Sequence, residues 1–172
     1  MITAPEIFNR YEEIKSRMPQ NPTLENMHDI RDLTEIAKEA EAFVFDAFGV
    51  LNVGNTLITG ADLRVLELRT LGCKIRILTN AASYERSQSL AKFLRLGLKI
   101  EDEEIITSRE AAILTLTSGL WGVIAATEDH LNDLKVDYLR LGSHPSDYDR
   151  VEGFLFLSSL GWTEAKQQLI KN

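Results

Sequence analysis

Two oxygen-bearing side chains, Asp46 and Thr79, stand 33 residues apart, and each directly follows a short segment that reads as a strand. Ala42-Phe43-Val44-Phe45 leads to the acid, and Lys74 to Leu78 leads to the hydroxyl, with Asn80 beside it. In an open parallel sheet, ligands bind in the crevice beyond the carboxyl ends of adjacent strands, so both groups can face one bound molecule. A carboxylate there serves as a nucleophile or as a hard ligand for Mg²⁺. The Thr79 hydroxyl and the Asn80 amide can hydrogen-bond phosphate oxygens. Asp also ends strands for turn chemistry, and Thr-Asn is an ordinary helix cap, so spacing alone leaves the chemical and the structural readings both open.

The other chemistry-bearing residues point to less. His28, His130 and His144 are far apart, with no i, i+4 pair and no cysteine partner, and read as surface positions rather than metal ligands. Cys73, the one cysteine, can form no intrachain disulfide and reads as a small core residue in a reducing compartment. Trp121 and Trp162 suit core or interface anchoring. The acidic run Glu101 to Glu104 reads as a solvated turn.

The elements around these residues alternate. The run ending at Asp46 reads as a strand buried on both faces, as in a parallel sheet. After a loop through Gly49, Gly54 and Gly60, residues 61–71 form a helix presenting Leu63, Leu66 and Leu71, stopped by Gly72. The strand 74–78 completes a βαβ unit with a right-handed crossover. A helix capped near Ser83 and carrying Leu90, Phe93 and Leu94 runs to Gly97. A short strand over 104–107 then leads into a helix from Ser108, with Glu110 in its first turn. Further on, the pattern predicts a strand at 121–126, a helix at 128–134, a polar loop at 144–150, a strand at 153–157 and a helix at 163–170. Alternation of this kind means an α/β layered fold. Residues 1–40 read as two helical stretches broken at Pro19 to Pro22. The second is capped by Thr23 or Asn26, with Ile30, Leu33, Ile36 and Ala37 at helical spacing, and forms a docking extension or a plain packing helix.

Composition narrows the partners. The 172 residues are 44% apolar, enough for a packed core without staples. No apolar run approaches the roughly 18 residues that cross a bilayer, and the polar opening lacks the apolar middle of a secretion signal, which together predict a cytoplasmic protein. The net charge of −7, with 26 acidic residues against 19 scattered basic ones, argues against nucleic acid and anionic membrane as partners. A small anion is still admissible, because local backbone N–H groups and a metal can hold it whatever the total charge.

Phe43-Val44-Phe45-Asp46-Ala47-Phe48-Gly49-Val50-Leu51, with Gly54 and later Ile77-Leu78-Thr79-Asn80-Ala81, resembles the first two motifs of the haloacid dehalogenase (HAD) superfamily. Leu71-Gly72-Cys73-Lys74 and the segment EEIITSREAA at 103–112 are similar to its p-nitrophenyl phosphatase-like branch, subfamily IIA, whose cap domain is inserted after the second motif. The resemblance covers residues 40–172. It implies a partial Rossmann-like (HAD-like) parallel sheet with helices on both faces, followed by the start of an inserted α/β cap. The corresponding divisions are a helical extension over 1–40, the first part of the core over 41–115 and the beginning of the cap over 116–172.

For function, the resemblance implies hydrolysis of a small phosphorylated metabolite through an aspartyl-phosphate. Asp46 would be the nucleophile and a Mg²⁺ ligand, the Phe48 carbonyl would be a second ligand, and Thr79 with Asn80 would bind the phosphoryl group. Two departures bear on this. Phosphatases of the superfamily carry a second Asp where this chain has Phe48, and a phenyl ring supplies no general acid or base. The third and fourth motifs, a lysine and an acidic pair, have no counterpart after Gly153; Lys166 and Lys171 fall on a cap helix. The resemblance therefore implies a truncated chain of impaired activity. Two alternatives follow from the same residues: a catalytically silent ligand- or partner-binding relative, and a 2-haloacid dehalogenase-type hydrolase that needs no metal. Exposed sheet edges in such a part-fold would also template a homodimer.

Overall fold

The computed structural model describes residues 3–18 and 29–171, which fall into two compact units, Met1–Arg31 and Asp32–Asn172. In the first unit, helix α1 (Ala4–Ile14) is followed by a 3₁₀ turn, Lys15–Arg17. The Glu6 carboxylate accepts hydrogen bonds from the backbone N–H and the hydroxyl of Thr3, each at 2.7 Å. No residue of α1 is buried. The break at Pro19 to Pro22, the caps Thr23 and Asn26, and His28 lie outside the described residues.

At the start of the second unit, the expected second helical stretch is only a 3₁₀ turn, Leu33–Ile36. Asp32 caps it by accepting from the Thr34 N–H at 2.8 Å. Leu33, Ile36 and Ala37 nevertheless pack into the main core, so a single short turn brings in three of the apolar groups that the periodicity had marked, while Ile30 is exposed.

The chain then runs through strand β1 (Ala42–Asp46), the hairpin β2 (Asn52–Val53) and β3 (Thr56–Leu57), helix α2 (Ala61–Thr70), β4 (Lys74–Thr79), α3 (Arg86–Arg95), β5 (Ile105–Thr107) and α4 (Ser108–Ile113). Strands β1, β4 and β5 form a parallel sheet in that order. Phe43, Phe45, Ile75, Ile77 and Ile105 point to one side, where Val65 and Leu68 of α2 and Phe93 of α3 meet them in one core. Successive side chains of a strand face opposite ways, and the opposite side is open: Val44, Leu78 and Ile106 are 63%, 51% and 46% exposed. Strand β1 is thus buried on one face, not two. Right-handed crossovers stepping in one direction put α2 and α3 on the same side. Among the described residues α2 and α3 cover this sheet on one face, and a parallel sheet flanked by helices is the α/β, Rossmann-like arrangement that was expected.

Helix α2 also turns the other way from expectation. Val65 and Leu68 are buried, while Leu63, Leu66 and Leu71 are exposed. Gly72 ends the helix at φ +89°, a left-handed geometry that costs glycine little. Cys73 is buried, and its thiol donates to the Ala37 carbonyl at 3.4 Å. The acidic run is not wholly solvated: Glu104 is buried, paired with Arg69 at 2.5 Å, and accepts from the Glu101 N–H.

A second parallel sheet follows, built from β6 (Leu120–Ile124), β7 (Asp137–Arg140) and β8 (Gly153–Phe156) in the order β7-β6-β8, with helices α5 (Pro145–Tyr148) and α6 (Glu164–Lys171). Strand β7 and helix α5 were not anticipated. The expected helix at 128–134 is a chain of turns. There the Asp129 carboxylate accepts from the Ala126 N–H, and the Arg140 guanidinium takes the carbonyls of Ala126 and Asp129, groups that a helix needs for itself. Gly153 has a packing reason: a Cβ there would come within 2.6 Å of the Trp121 ring.

Candidate active site

Asp46 is the last residue of β1. One of its carboxylate oxygens accepts from the Ala47 N–H at 2.7 Å, and no cation among the described residues pairs with it. The chain then folds back sharply. The Ala47 carbonyl accepts from the N–H groups of Val50, Leu51 and Asn52, and Gly49, at φ +88°, donates to the Asn52 carbonyl at 2.8 Å. This turn brings Phe48 beside Asn52 and leaves its ring 67% exposed. Among the described residues no backbone N–H donates to the Phe48 carbonyl.

Thr79 ends β4 and is buried; its hydroxyl oxygen accepts from the Ala81 N–H at 3.2 Å. Asn80 is exposed, and its carbonyl accepts from the Ser108 hydroxyl at 2.8 Å. Adjacent parallel strands end level here, with Asp46 opposite Leu78 in register. Asp46, Phe48, Thr79 and Asn80 therefore line one cavity of about 260 Å³. All four residues marked in the sequence come together. Its wall also includes Tyr84 and, from α3, Ser89 and Lys92, which the sequence reading missed. The available signal was their i, i+3 spacing on the first helix after Thr79-Asn80.

Arg109 was missed as well. Its side chain is fully buried, and the guanidinium grips both oxygens of Asp133 at 2.6 and 2.8 Å. It also donates to the carbonyls of Ala82, Ser83 and His130. The loop that follows Asn80 is thereby tied to the segment 130–133 of the second sheet's side. His130 and His144 are exposed. No group of three metal-ligating His, Cys, Asp or Glu side chains occurs among the described residues, and no helix there is long and apolar enough to cross a membrane.

Chemically, the cleft offers an accessible carboxylate with one oxygen free, the hydroxyls of Thr79, Tyr84 and Ser89, and an ammonium. That set can hold a tetrahedral anion and attack it.

Comparison with known proteins agrees with this reading of the fold. A family model described as haloacid dehalogenase-like hydrolase matches residues 43–132. Phosphoglycolate phosphatase 1A, chloroplastic, from Arabidopsis thaliana is 34% identical over 89 residues, 52% of this chain and 25% of that protein. Among solved structures, a possible sugar phosphatase of the HAD superfamily from Cytophaga hutchinsonii matches with a TM-score of 0.66 at 21% identity, over 84% of this chain and 55% of its own. A glycerol phosphate phosphatase from Mycobacterium tuberculosis, in complex with magnesium, matches at 0.56 and 18% identity, over 73% of this chain and 38% of its own. The chain thus spans about a quarter of the length of the curated relative it matches.

Proposed function

The chain belongs to the haloacid dehalogenase-like hydrolase family, and from that premise we propose that it hydrolyses a small phosphorylated metabolite through an aspartyl-phosphate. The observation that carries this reading is an exposed Asp46 at a strand end, sharing its cavity with the Thr79 hydroxyl and Asn80. The free carboxylate oxygen of Asp46 attacks phosphorus, forming an O–P bond as the ester P–O bond breaks. Water then cleaves the acyl phosphate and regenerates the acid. Thr79 and Asn80 hold phosphoryl oxygens, where donors fixed in advance matter most as charge builds in the transition state.

The leaving oxygen needs a proton, and Phe48 has none to give. General acid help is worth about 10²–10⁴-fold. Turnover is therefore slow, and substrates with acidic leaving groups are favoured.

The oxygens of Asp46 and the Phe48 carbonyl fit Mg²⁺ in kind, and they match the way this ion is usually bound, by one or two protein oxygens with water and substrate phosphate completing the shell. When bound, it would neutralise phosphoryl charge. Its place in this family is supported by the magnesium complex of the mycobacterial glycerol phosphate phosphatase. The outer edge of β1, which has no strand partner among the described residues, supports a homodimer formed by strand pairing, readable by sedimentation at two concentrations. A lone buried thiol favours the cytoplasm.

One observation favours a second reading. With a phenyl ring in place of the acid, the chain suits a catalytically silent relative that binds and does not turn over. Incubation with p-nitrophenyl phosphate and Mg²⁺ separates the two. The hydrolase reading expects release of nitrophenol that Asp46→Asn reduces to background. Release that persists in Asp46→Asn, or none from the unaltered chain, sinks it.

A further inference from the structure

We infer that Ser89 and Lys92, on helix α3, form the anion-holding wall of the Asp46 cavity and bind the phosphoryl oxygens of its ligand. This rests on the hydrolase reading and extends it to two residues outside the motifs. Three positions apart on a helix, the two side chains share a face, and both line the cavity that Asp46 and Thr79 line.

The Ser89 residue is only 5% exposed, yet its hydroxyl has no hydrogen-bond partner among the described residues. No fully enclosed side-chain polar atom there lacks a partner. The hydroxyl therefore opens onto the cavity instead of being sealed in the core, and a buried O–H in that position satisfies itself with a ligand or water.

Lys92 is half-buried and forms no ion pair with a described residue. That is notable in a chain of net charge −7, where Arg64, Arg69, Arg86 and Arg109 are each held by a carboxylate. An ammonium carries three donors on a flexible stem and acts on phosphate as a point charge. Thr79, Ser89 and Lys92 together present two hydroxyls and one cation to a group with three non-bridging oxygens. Lys92 also offsets the repulsion between the Asp46 carboxylate and an incoming anion.

The test is calorimetric titration of inorganic phosphate into the whole chain, with and without Mg²⁺, beside turnover of p-nitrophenyl phosphate. Lys92→Ala and Lys92→Glu should weaken phosphate binding by about ten- to a hundredfold, the scale of a hydrogen bond to a charged group, and Lys92→Arg should restore most of it. Ser89→Ala should cost about three- to tenfold. Thermal melting monitors folding, and Lys92, with no protein partner to lose, should leave it unchanged. If Lys92→Glu binds phosphate as tightly as the unaltered chain, this assignment falls, while Asp46-dependent turnover would leave the hydrolase reading standing. If the unaltered chain neither binds phosphate nor releases nitrophenol, both fall.

Discussion

The two sheets of the larger unit share a plan, three parallel strands each, and differ in what surrounds them. In β7-β6-β8 the middle strand buries Val123 to one side and Ile124 to the other, in two separate clusters. Leu131, Leu134, Leu155 and Leu157 fill the first, and Leu141, Tyr148 and the partly buried Trp162 the second. In β1-β4-β5 the strand bearing Asp46 lies at an edge, one face carries the core and the other carries exposed Val44, Leu78 and Ile106. The middle strand of the second sheet is packed on both faces, although Tyr138, Phe154 and Phe156 on its flanking strands are exposed. The sheet whose middle strand β4 leaves Leu78 exposed on an open face is the one whose strand ends hold an accessible acid. The comparison separates a region built for stability from one that retains groups for a ligand, and each side can be tested.

The largest effect is expected at the open sheet. Phe48→Asp should raise kcat for an alkyl phosphate such as glycerol phosphate by about 10²–10⁴-fold, by supplying the missing proton donor, and should raise it much less for p-nitrophenyl phosphate, whose leaving group needs no proton. An unchanged rate would place the reaction elsewhere. Chelation of Mg²⁺ should reduce the same assay to background, restored by adding the ion back.

At the junction, Arg109→Met strands the Asp133 carboxylate and should cost about 3–5 kcal/mol of stability by urea unfolding, with Arg109→Met/Asp133→Leu recovering part of it. Equal losses in the single and double variants would show that packing, not charge, holds that corner.

Within the sheets themselves, Leu155→Ala, at a buried position of the second sheet, should cost about 2–5 kcal/mol. Leu78→Ala, on the open face, should change stability by no more than about 0.5 kcal/mol. Similar costs at the two leucines would mean that Leu78 is covered in solution.

Much of this was legible in the chain. The apolar run ending in Asp46 and the β-branched, alternating segment ending in Thr79 mark two adjacent strands, which pair in parallel and end level. The glycines after α2 and α3 mark their stops for a backbone reason. What could not be read has equally definite causes. Strand β7, Asp137–Arg140, has two charged ends and no apolar alternation, and its pairing partner β6 supplies what its sequence does not. The hairpin strands β2 and β3 have two residues each, below any periodic signal. In α2 the leucines outnumber the buried pair, so apolarity alone picked Leu63, Leu66 and Leu71 while packing chose Val65 and Leu68. Around 128–134 the decisive event is long-range: Arg140 captures carbonyls from two residues upstream of the turns and within them. Ser89 and Lys92 carry no motif; their i, i+3 spacing puts them on one face of α3, and the fold brings that face to Asp46. Arg109 and Asp133 are 24 residues apart, and nothing in their spacing announces a partnership.

Arg109 has one more consequence. Its five N–H groups are divided among acceptors that precede α3 and acceptors that precede β7, so it works as a rivet between the two halves. Swinging them apart at this point would leave a desolvated cation without company. On the cavity that holds Asp46, Phe48 and Tyr84 both stand in solvent, so part of its rim is aromatic.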